Sequence, residues 1–153
     1  MFTFPPTFIL RHRRENLKKC SLRGLETRED LRFFTYPKDT LPACPGYILL
    51  ATEAPPLSPQ DRDRGLLLLD GTWRYAEKMQ KQLKHPLETR SIPEGFVTAY
   101  PRRQEELHGL ATVEALFIAY AILGRDTSGL LDGYHWRETF LGFTNPLLSE
   151  LVF

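Results

Sequence analysis

The stretch from Gly65 to Trp73, which reads Gly-Leu-Leu-Leu-Leu-Asp-Gly-Thr-Trp, constrains the fold of this chain more than any other. Its four consecutive leucines show no alternation of polar and apolar residues, and such a short apolar run is typical of a strand buried on both faces. The run ends at Asp70, and a helical pattern begins directly after Gly71. The sequence therefore predicts a strand, a tight turn and the start of a helix.

Asp70 stands where this strand is predicted to end. In open α/β sheets, ligands bind in the crevice beyond the carboxyl ends of the strands. A carboxylate and Trp73 at that place indicate a binding or catalytic site. The alternative is structural: Asp70 or Thr72 caps the helix, and Trp73 packs in the core with Ala76 and Met79.

Strand and helix patterns alternate along the rest of the chain. Strands are predicted at residues 7–10, 46–52, 88–92 and 96–100, and helices at 72–84, 110–123 and 128–141. An apolar tail with a turn at Asn145-Pro146 follows, and segment 11–32 fits a helix or a loop equally well. A short helical turn begins at Ser58, and the charged residues 61–64 are expected to be exposed. This alternation predicts an α/β fold with a mostly parallel sheet and helices packed on it.

The composition is that of a globular protein, with 42% hydrophobic and 25% charged residues in a chain of 153. Cys20 and Cys44 fit no metal motif, and the four histidines lie far apart, so we expect no metal ion. The first six residues do not resemble a signal peptide, and no apolar run approaches the length of a membrane span. We therefore expect a cytoplasmic protein without a membrane segment.

Positive charge is concentrated at the amino-terminal end of the chain. Residues 1–32 carry eight Lys/Arg against four Asp/Glu, and the remainder carries twelve against fifteen. Clustered Lys and Arg at one end can mark a polyanion partner. A solvated charged face is the alternative explanation.

Four short motifs resemble one family of RNA-modifying enzymes. Asp70-Gly71-Thr72-Trp73 is similar to the Asp-x-(Ser/Thr)-Trp signature of the Tsr3-type ribosomal-RNA aminocarboxypropyltransferases and of the DTW-domain transfer-RNA aminocarboxypropyltransferases. Three further motifs resemble those of the family and occur in the same order along the chain: Lys19-Cys20-Ser21 with Leu25, Leu57-Ser58-Pro59-Gln60-Asp61, and Leu110-Ala111-Thr112-Val113-Glu114-Ala115. Arg102-Arg103 resembles a pair in the DTW group, and Trp136 with Phe140-Leu141 resembles the end of the Tsr3 type. The overall layout is nearer to the Tsr3 type.

The resemblance implies a fold like that of the SPOUT RNA methyltransferases, with a C-terminal trefoil knot. Residues 1–60 would form a small N-terminal lobe and residues 61–153 a SPOUT-like cofactor-binding domain, although the two can also form a single domain. Nothing in the periodicity of the sequence shows a knot, and knots are rare. The oligomeric state stays open, with a monomer favoured.

The resemblance also implies an activity. S-adenosyl-L-methionine would donate its 3-amino-3-carboxypropyl group to a ring nitrogen of uridine or pseudouridine in rRNA or tRNA. Asp70 would be the catalytic residue, as a base or as an anchor of the cofactor. Two alternatives stay open, a SPOUT-type RNA methyltransferase and an inactive RNA- or ribosome-binding protein of the same fold.

Two sets of site residues follow from the resemblance and from the charge pattern. The cofactor contacts carried over by position are Ser21, Leu69, Trp73, Phe96, Leu110, Ala111, Thr112 and Ala115. The expected RNA contacts, on phosphates, are Arg11, Arg13, Arg14, Lys18, Lys19, Arg102 and Arg103.

The chain departs from the family pattern in two places. Ala111 stands where the family usually has a serine, which with Glu114 would form a capping box. Its loss costs the helix a cap worth about 1 kcal/mol, so either Thr112 replaces the cap or a cofactor contact is weaker. The family's Asn-Pro-x-Asn-Tyr-Gly stretch is not recognisable between Phe96 and His108.

Overall fold

The structure, a computed structural model, describes residues 4–13, 22–70, 78–81, 83, 86–99 and 110–151. These residues contain five strands: β1 (Thr7–His12), β2 (Leu31–Tyr36), β3 (Ile48–Leu50), β4 (Leu66–Asp70) and β5 (Glu88–Arg90). A 3-10 turn spans Pro59–Asp61, and two helices follow the strands, α1 (Thr112–Leu123) and α2 (Arg137–Glu150). Residues 78–81 are also helical, while the rest of the helix predicted at 72–84 lies largely outside the described residues.

The described strands form one sheet in the order β2-β1-β4-β3-β5. Every neighbouring pair is parallel, which confirms the prediction of a mostly parallel sheet in an α/β fold. Strands from both sides of residue 60 are hydrogen-bonded neighbours in this sheet. The division of the chain into two domains at that residue stays a prediction.

Both faces of the central strands are buried, as the run of leucines predicts. Ile9 and Leu68 belong to a core that includes helices α1 and α2, whereas Phe8 and Leu67 belong to a second core with Met79 on the other face. Gly65 precedes β4 where the chain passes Tyr47, and a Cβ atom there would lie 2.4 Å from the Tyr47 ring. Only glycine fits this approach without displacing the ring.

The connections between strands reverse direction between β1 and β4. From β1 the chain goes to β2 at one edge of the sheet, and from β4 it goes to β5 at the other edge. In open parallel sheets this reversal leaves a crevice at the carboxyl ends of the two strands. Arg11 and Asp70 are paired in register at these ends.

The carboxyl-terminal helix differs from its prediction. We expected a helix over 128–141 followed by a turn at Asn145-Pro146, but the helix spans Arg137–Glu150 and contains Pro146. Proline usually stops a helix because it lacks an amide hydrogen and crowds the carbonyl four residues earlier. Here Phe140 and Thr144 are buried, and this packing holds the helix together across the proline.

Two further expectations are wrong. Phe96–Ala99 is not a strand, since Ala99 donates its backbone N–H to Glu114 and not to a neighbouring strand. The charged segment that follows Ser58 is not fully exposed, because Asp61 is buried. Its carboxylate accepts a hydrogen bond from the Ser58 amide and lies 3.5 Å from Arg90 Nε. The helical turn predicted to begin at Ser58 is confirmed, and Ser58 is its N-cap.

Candidate active site

A buried ion pair joins the carboxyl ends of β1 and β4. Arg11 Nε donates to Asp70 Oδ2 at 3.2 Å, and the two side chains are only 9% and 4% exposed. Removing two charges from water is costly unless they are paired in good geometry. The two strands therefore hold a buried ion pair at their carboxyl ends, where the reversal of the strand connections predicts a crevice.

The start of helix α1 is connected to this ion pair. Thr112 Oγ1 donates to Asp70 Oδ1 at 2.9 Å, so both carboxylate oxygens of Asp70 accept hydrogen bonds. The side chain of Ala111, the N-cap residue, makes no capping hydrogen bond. Thr112 does not replace this cap with its hydroxyl group, which serves Asp70 instead. Asp70 thus links β1, β4 and α1.

Among the described residues, Glu26 and Phe33 also contact Arg11. Its Nη1 lies 3.5 Å from Glu26 Oε2, and its guanidinium carbon lies 4.8 Å from the centre of the Phe33 ring. The Glu26 side chain is 43% exposed, so the cluster extends from the protein interior to its surface. Burial and ion pairing of Arg11 do not favour the RNA contact expected of this residue, which stays a prediction.

Glu114 is the second polar centre beside the crevice. It is completely buried in the first turn of α1. Its carboxylate accepts hydrogen bonds from the backbone N–H groups of Ala99 and Ala111 and from the hydroxyl groups of Thr98 and Tyr134. Sequence reasoning identified Glu114 only as the family's capping glutamate; a lone charge on an otherwise apolar helix was the signal of a larger role.

The six predicted cofactor contacts that the structure describes fall into two groups. Phe96, Leu110 and Ala115 pack on one core, on the side of the sheet that carries α1, and Ala111 and Thr112 begin that helix. The side chain of Leu69 packs in the second core, on the opposite face of β4 from Asp70. A ligand touching both groups would reach Leu69 through its backbone or past the end of the strand.

The remaining predicted site residues are mostly outside the described part of the chain. These are Ser21, Trp73, Arg14, Lys18, Lys19, Arg102 and Arg103. Arg13 is described: it is exposed directly after β1, and its backbone N–H donates to Tyr36 O. Arg13 therefore lies at the carboxyl ends of the strands, as Asp70 does.

The described part of the chain contains neither a metal-binding cluster nor a membrane-spanning helix. Within the described ranges, no three His, Cys, Asp or Glu side chains are grouped in a way that could hold a metal ion. None of the helices in that part of the chain is both long and apolar enough to cross a membrane.

The parallel sheet and its helices define an α/β protein in which Arg11, Asp70 and Thr112 form a largely buried polar cluster at the carboxyl ends of the central strands. Neither models of protein families nor curated proteins match this chain. Among solved structures, it is similar to the SAM-dependent rRNA:acp-transferase Tsr3 from Vulcanisaeta distributa, with a TM-score of 0.75 and 26% identity. The match covers 95% of this chain and 82% of that protein.

Proposed function

We propose that this chain is a SAM-dependent enzyme that transfers the 3-amino-3-carboxypropyl group to ribosomal RNA. The observation that carries this proposal is the likeness to the rRNA acp-transferase Tsr3 over 95% of the chain at 26% identity. Four sequence motifs in the family's order support it independently, and two of them contribute Asp70 and Thr112 to one hydrogen bond.

The residues at the crevice suit S-adenosylmethionine as the donor. Phe96, Leu110 and Ala115 offer an apolar wall for the adenosine part, and they lie on the side of β4 that carries Asp70. When bound, the donor supplies an activated carbon that a ring nitrogen of the acceptor attacks, while the bond from that carbon to sulfur breaks and 5′-methylthioadenosine leaves. The task of the chain is then to choose which carbon of the sulfonium faces the acceptor, and positioning alone can supply that selectivity.

Asp70 is better suited to positioning than to proton transfer. A general base needs an oxygen within reach of the acceptor's proton. Both Asp70 oxygens are engaged, one by Arg11 and the other by Thr112. We therefore assign Asp70 the role of anchoring the crevice, with the acceptor's proton passing to solvent.

Several finer features belong to the same proposal. The acceptor is a uridine or pseudouridine ring nitrogen, and a tRNA acceptor, as in the DTW group, is the second candidate. The fold is SPOUT-like with a C-terminal trefoil knot and an N-terminal lobe over residues 1–60. The enzyme acts in the cytoplasm as a monomer, and exposed Arg13 contributes to an RNA surface beside the crevice.

Nucleoside mass spectrometry of rRNA and tRNA from cells with and without this protein tests the proposal. We expect an aminocarboxypropyl-modified uridine or pseudouridine in rRNA that disappears when the protein is absent. A methylated nucleoside that disappears instead would favour the methyltransferase alternative. Unchanged nucleosides in both RNAs would contradict an RNA-modifying activity.

A further inference from the structure

We propose that Glu114 is a positioning residue that sets the geometry of the donor site. This inference rests on the proposed function, because it concerns the two stretches expected to contact the donor. The Glu114 side chain is not exposed at a surface. It is completely buried, and three of the four hydrogen bonds described for it come from Thr98, Ala99 and Ala111, which adjoin the predicted donor contacts.

The carboxylate of Glu114 is satisfied by four donors. Oε1 accepts from Thr98 Oγ1 at 2.6 Å and from the Ala111 amide at 2.8 Å. Oε2 accepts from the Ala99 amide and from Tyr134 Oη, both at 2.9 Å. An ionised carboxylate offers about four lone-pair sites, so this arrangement uses its full capacity.

None of these donors lies within a helix or strand of the described structure. Thr98 and Ala99 follow Phe96, whereas Ala111 lies between Leu110 and Thr112. One carboxylate therefore ties the residues on both sides of segment 100–109 to the same helix turn. A shift of either stretch would break a charge-assisted hydrogen bond to a buried group, which is among the costliest polar contacts to lose.

Glu114 also acts on Asp70 through the start of the helix. Ala111 is bound to Glu114, and the next residue, Thr112, is bound to Asp70. Since Ala111 has no side-chain oxygen to cap the helix, the Glu114 carboxylate is what fixes the chain at that point. The position of the Thr112 hydroxyl, and with it the orientation of Asp70, depends on this anchor.

The chain contains a matched control for the buried hydroxyl of Tyr134. Tyr120 is buried as Tyr134 is, with exposed fractions of 0% and 6%, and its Oη lies 2.7 Å from Thr7 Oγ1 at the amino-terminal end of β1. Substituting either tyrosine by phenylalanine removes one hydroxyl group from the interior. Only Tyr134→Phe removes a hydrogen bond from Glu114.

The experiment compares Tyr134→Phe, Thr98→Val and Glu114→Gln with Tyr120→Phe. Hydrogen exchange of the Ala99 and Ala111 amides is measured without ligand, and the Kd for S-adenosylmethionine is measured by calorimetry. Glutamine retains one acceptor oxygen, so we expect Glu114→Gln to speed exchange of at least one of the two amides by about tenfold or more and to raise the Kd by a similar factor, as a lost charge-assisted bond implies. Tyr134→Phe and Thr98→Val should change both quantities in the same direction, and Tyr120→Phe should leave both unchanged.

Two results would overturn the inference. One is unchanged exchange at Ala99 and Ala111 in Glu114→Gln; the other is a Kd for S-adenosylmethionine that rises no more in Tyr134→Phe than in Tyr120→Phe. Should Glu114→Gln fail to fold, the Tyr134 and Thr98 variants decide. A wild-type protein that binds no S-adenosylmethionine would instead contradict the proposed function, and the exchange data from the ligand-free protein distinguish this failure from a failure of the Glu114 anchor.

Discussion

Arg11 and Asp70 form an ion pair, with 3.2 Å between Nε and Oδ2, across the point where the connections of the sheet reverse direction. The two residues are 59 positions apart in the sequence and are neighbours only because β1 and β4 are adjacent and in register. Their charges balance in a place where neither could be buried alone. The crevice therefore has a polar floor built from the two central strands of the fold.

Removal of the Asp70 charge should destabilise the protein and greatly slow transfer. Asp70→Asn leaves the Arg11 guanidinium buried without its full counter-charge, and breaking a buried pair in this way typically costs about 3 to 5 kcal/mol. Urea unfolding measures this loss. Transfer should fall by about a hundredfold or more, because small misplacements at a reacting site have effects of that size.

The double variant Arg11→Met with Asp70→Leu separates stability from activity. Replacing both charges by apolar groups removes the unpaired charge, so this variant should be more stable than Asp70→Asn and still inactive. Normal transfer by the double variant would show that the ion pair is only structural.

Thr112 should contribute through its hydroxyl group. Thr112→Val deletes the donor to Asp70 Oδ1 and should lower the free energy of unfolding by about 1 to 2 kcal/mol. Thr112→Ser keeps the hydroxyl and is the matched control. Calorimetry should find weaker S-adenosylmethionine binding in the valine variant and near-normal binding in the serine variant; equal binding by both would argue against a role for this hydrogen bond.

Arg13 should contact RNA phosphates. Arg13→Glu should weaken rRNA binding and lower the slope of log K against log salt by about 1, as expected for one lost phosphate contact. Arg62→Glu is the control. Arg62 is also exposed, but it precedes β4 and so lies towards the amino-terminal ends of the strands, whereas Arg13 lies at their carboxyl ends. A salt titration by fluorescence anisotropy compares them, and equal effects of the two reversals would contradict a localised RNA surface.

Tyr47 should make stability depend on alkaline pH. Burial raises the pKa of this phenol from 10.0 to about 12. Because the unfolded chain ionises first, the contribution of Tyr47 is complete below about pH 10 and is lost as the pH rises towards about 12. The free energy of unfolding should fall over this interval, and it should fall less steeply in Tyr47→Phe, which lacks the titrating group. Parallel curves for the two proteins would contradict this origin.

Elements with a strong local signal could be predicted from the sequence. The run of leucines before Asp70 forms a buried strand, Ser58 caps its 3-10 turn, and α1 ends at Gly124 in the left-handed conformation with φ 71°. In each case neighbouring residues determine the structure. The parallel arrangement followed from the alternation of these elements.

Features that depend on distant contacts could not be predicted. β2 contains Arg32 and ends before Pro37, so its sequence does not look like a buried strand, and its pairing with β1 defines it. The partners of Glu114 lie on both sides of it in the sequence, at distances of up to 20 residues. Its predicted place at a strand end and the resemblance both made Asp70 a candidate site residue, but its pairing with Arg11 depends on the strand order of the sheet.

Labelling the donor at two positions tests the proposed aminocarboxypropyl transfer most directly. S-adenosylmethionine labelled in the carboxyl carbon, and in parallel labelled in the methyl group, is incubated with the protein and with rRNA lacking the modification. We expect the carboxyl label to enter rRNA, the methyl label to stay out of it, and 5′-methylthioadenosine to accumulate. Transfer of the methyl label with release of S-adenosylhomocysteine, or no transfer of either label, would contradict this proposal.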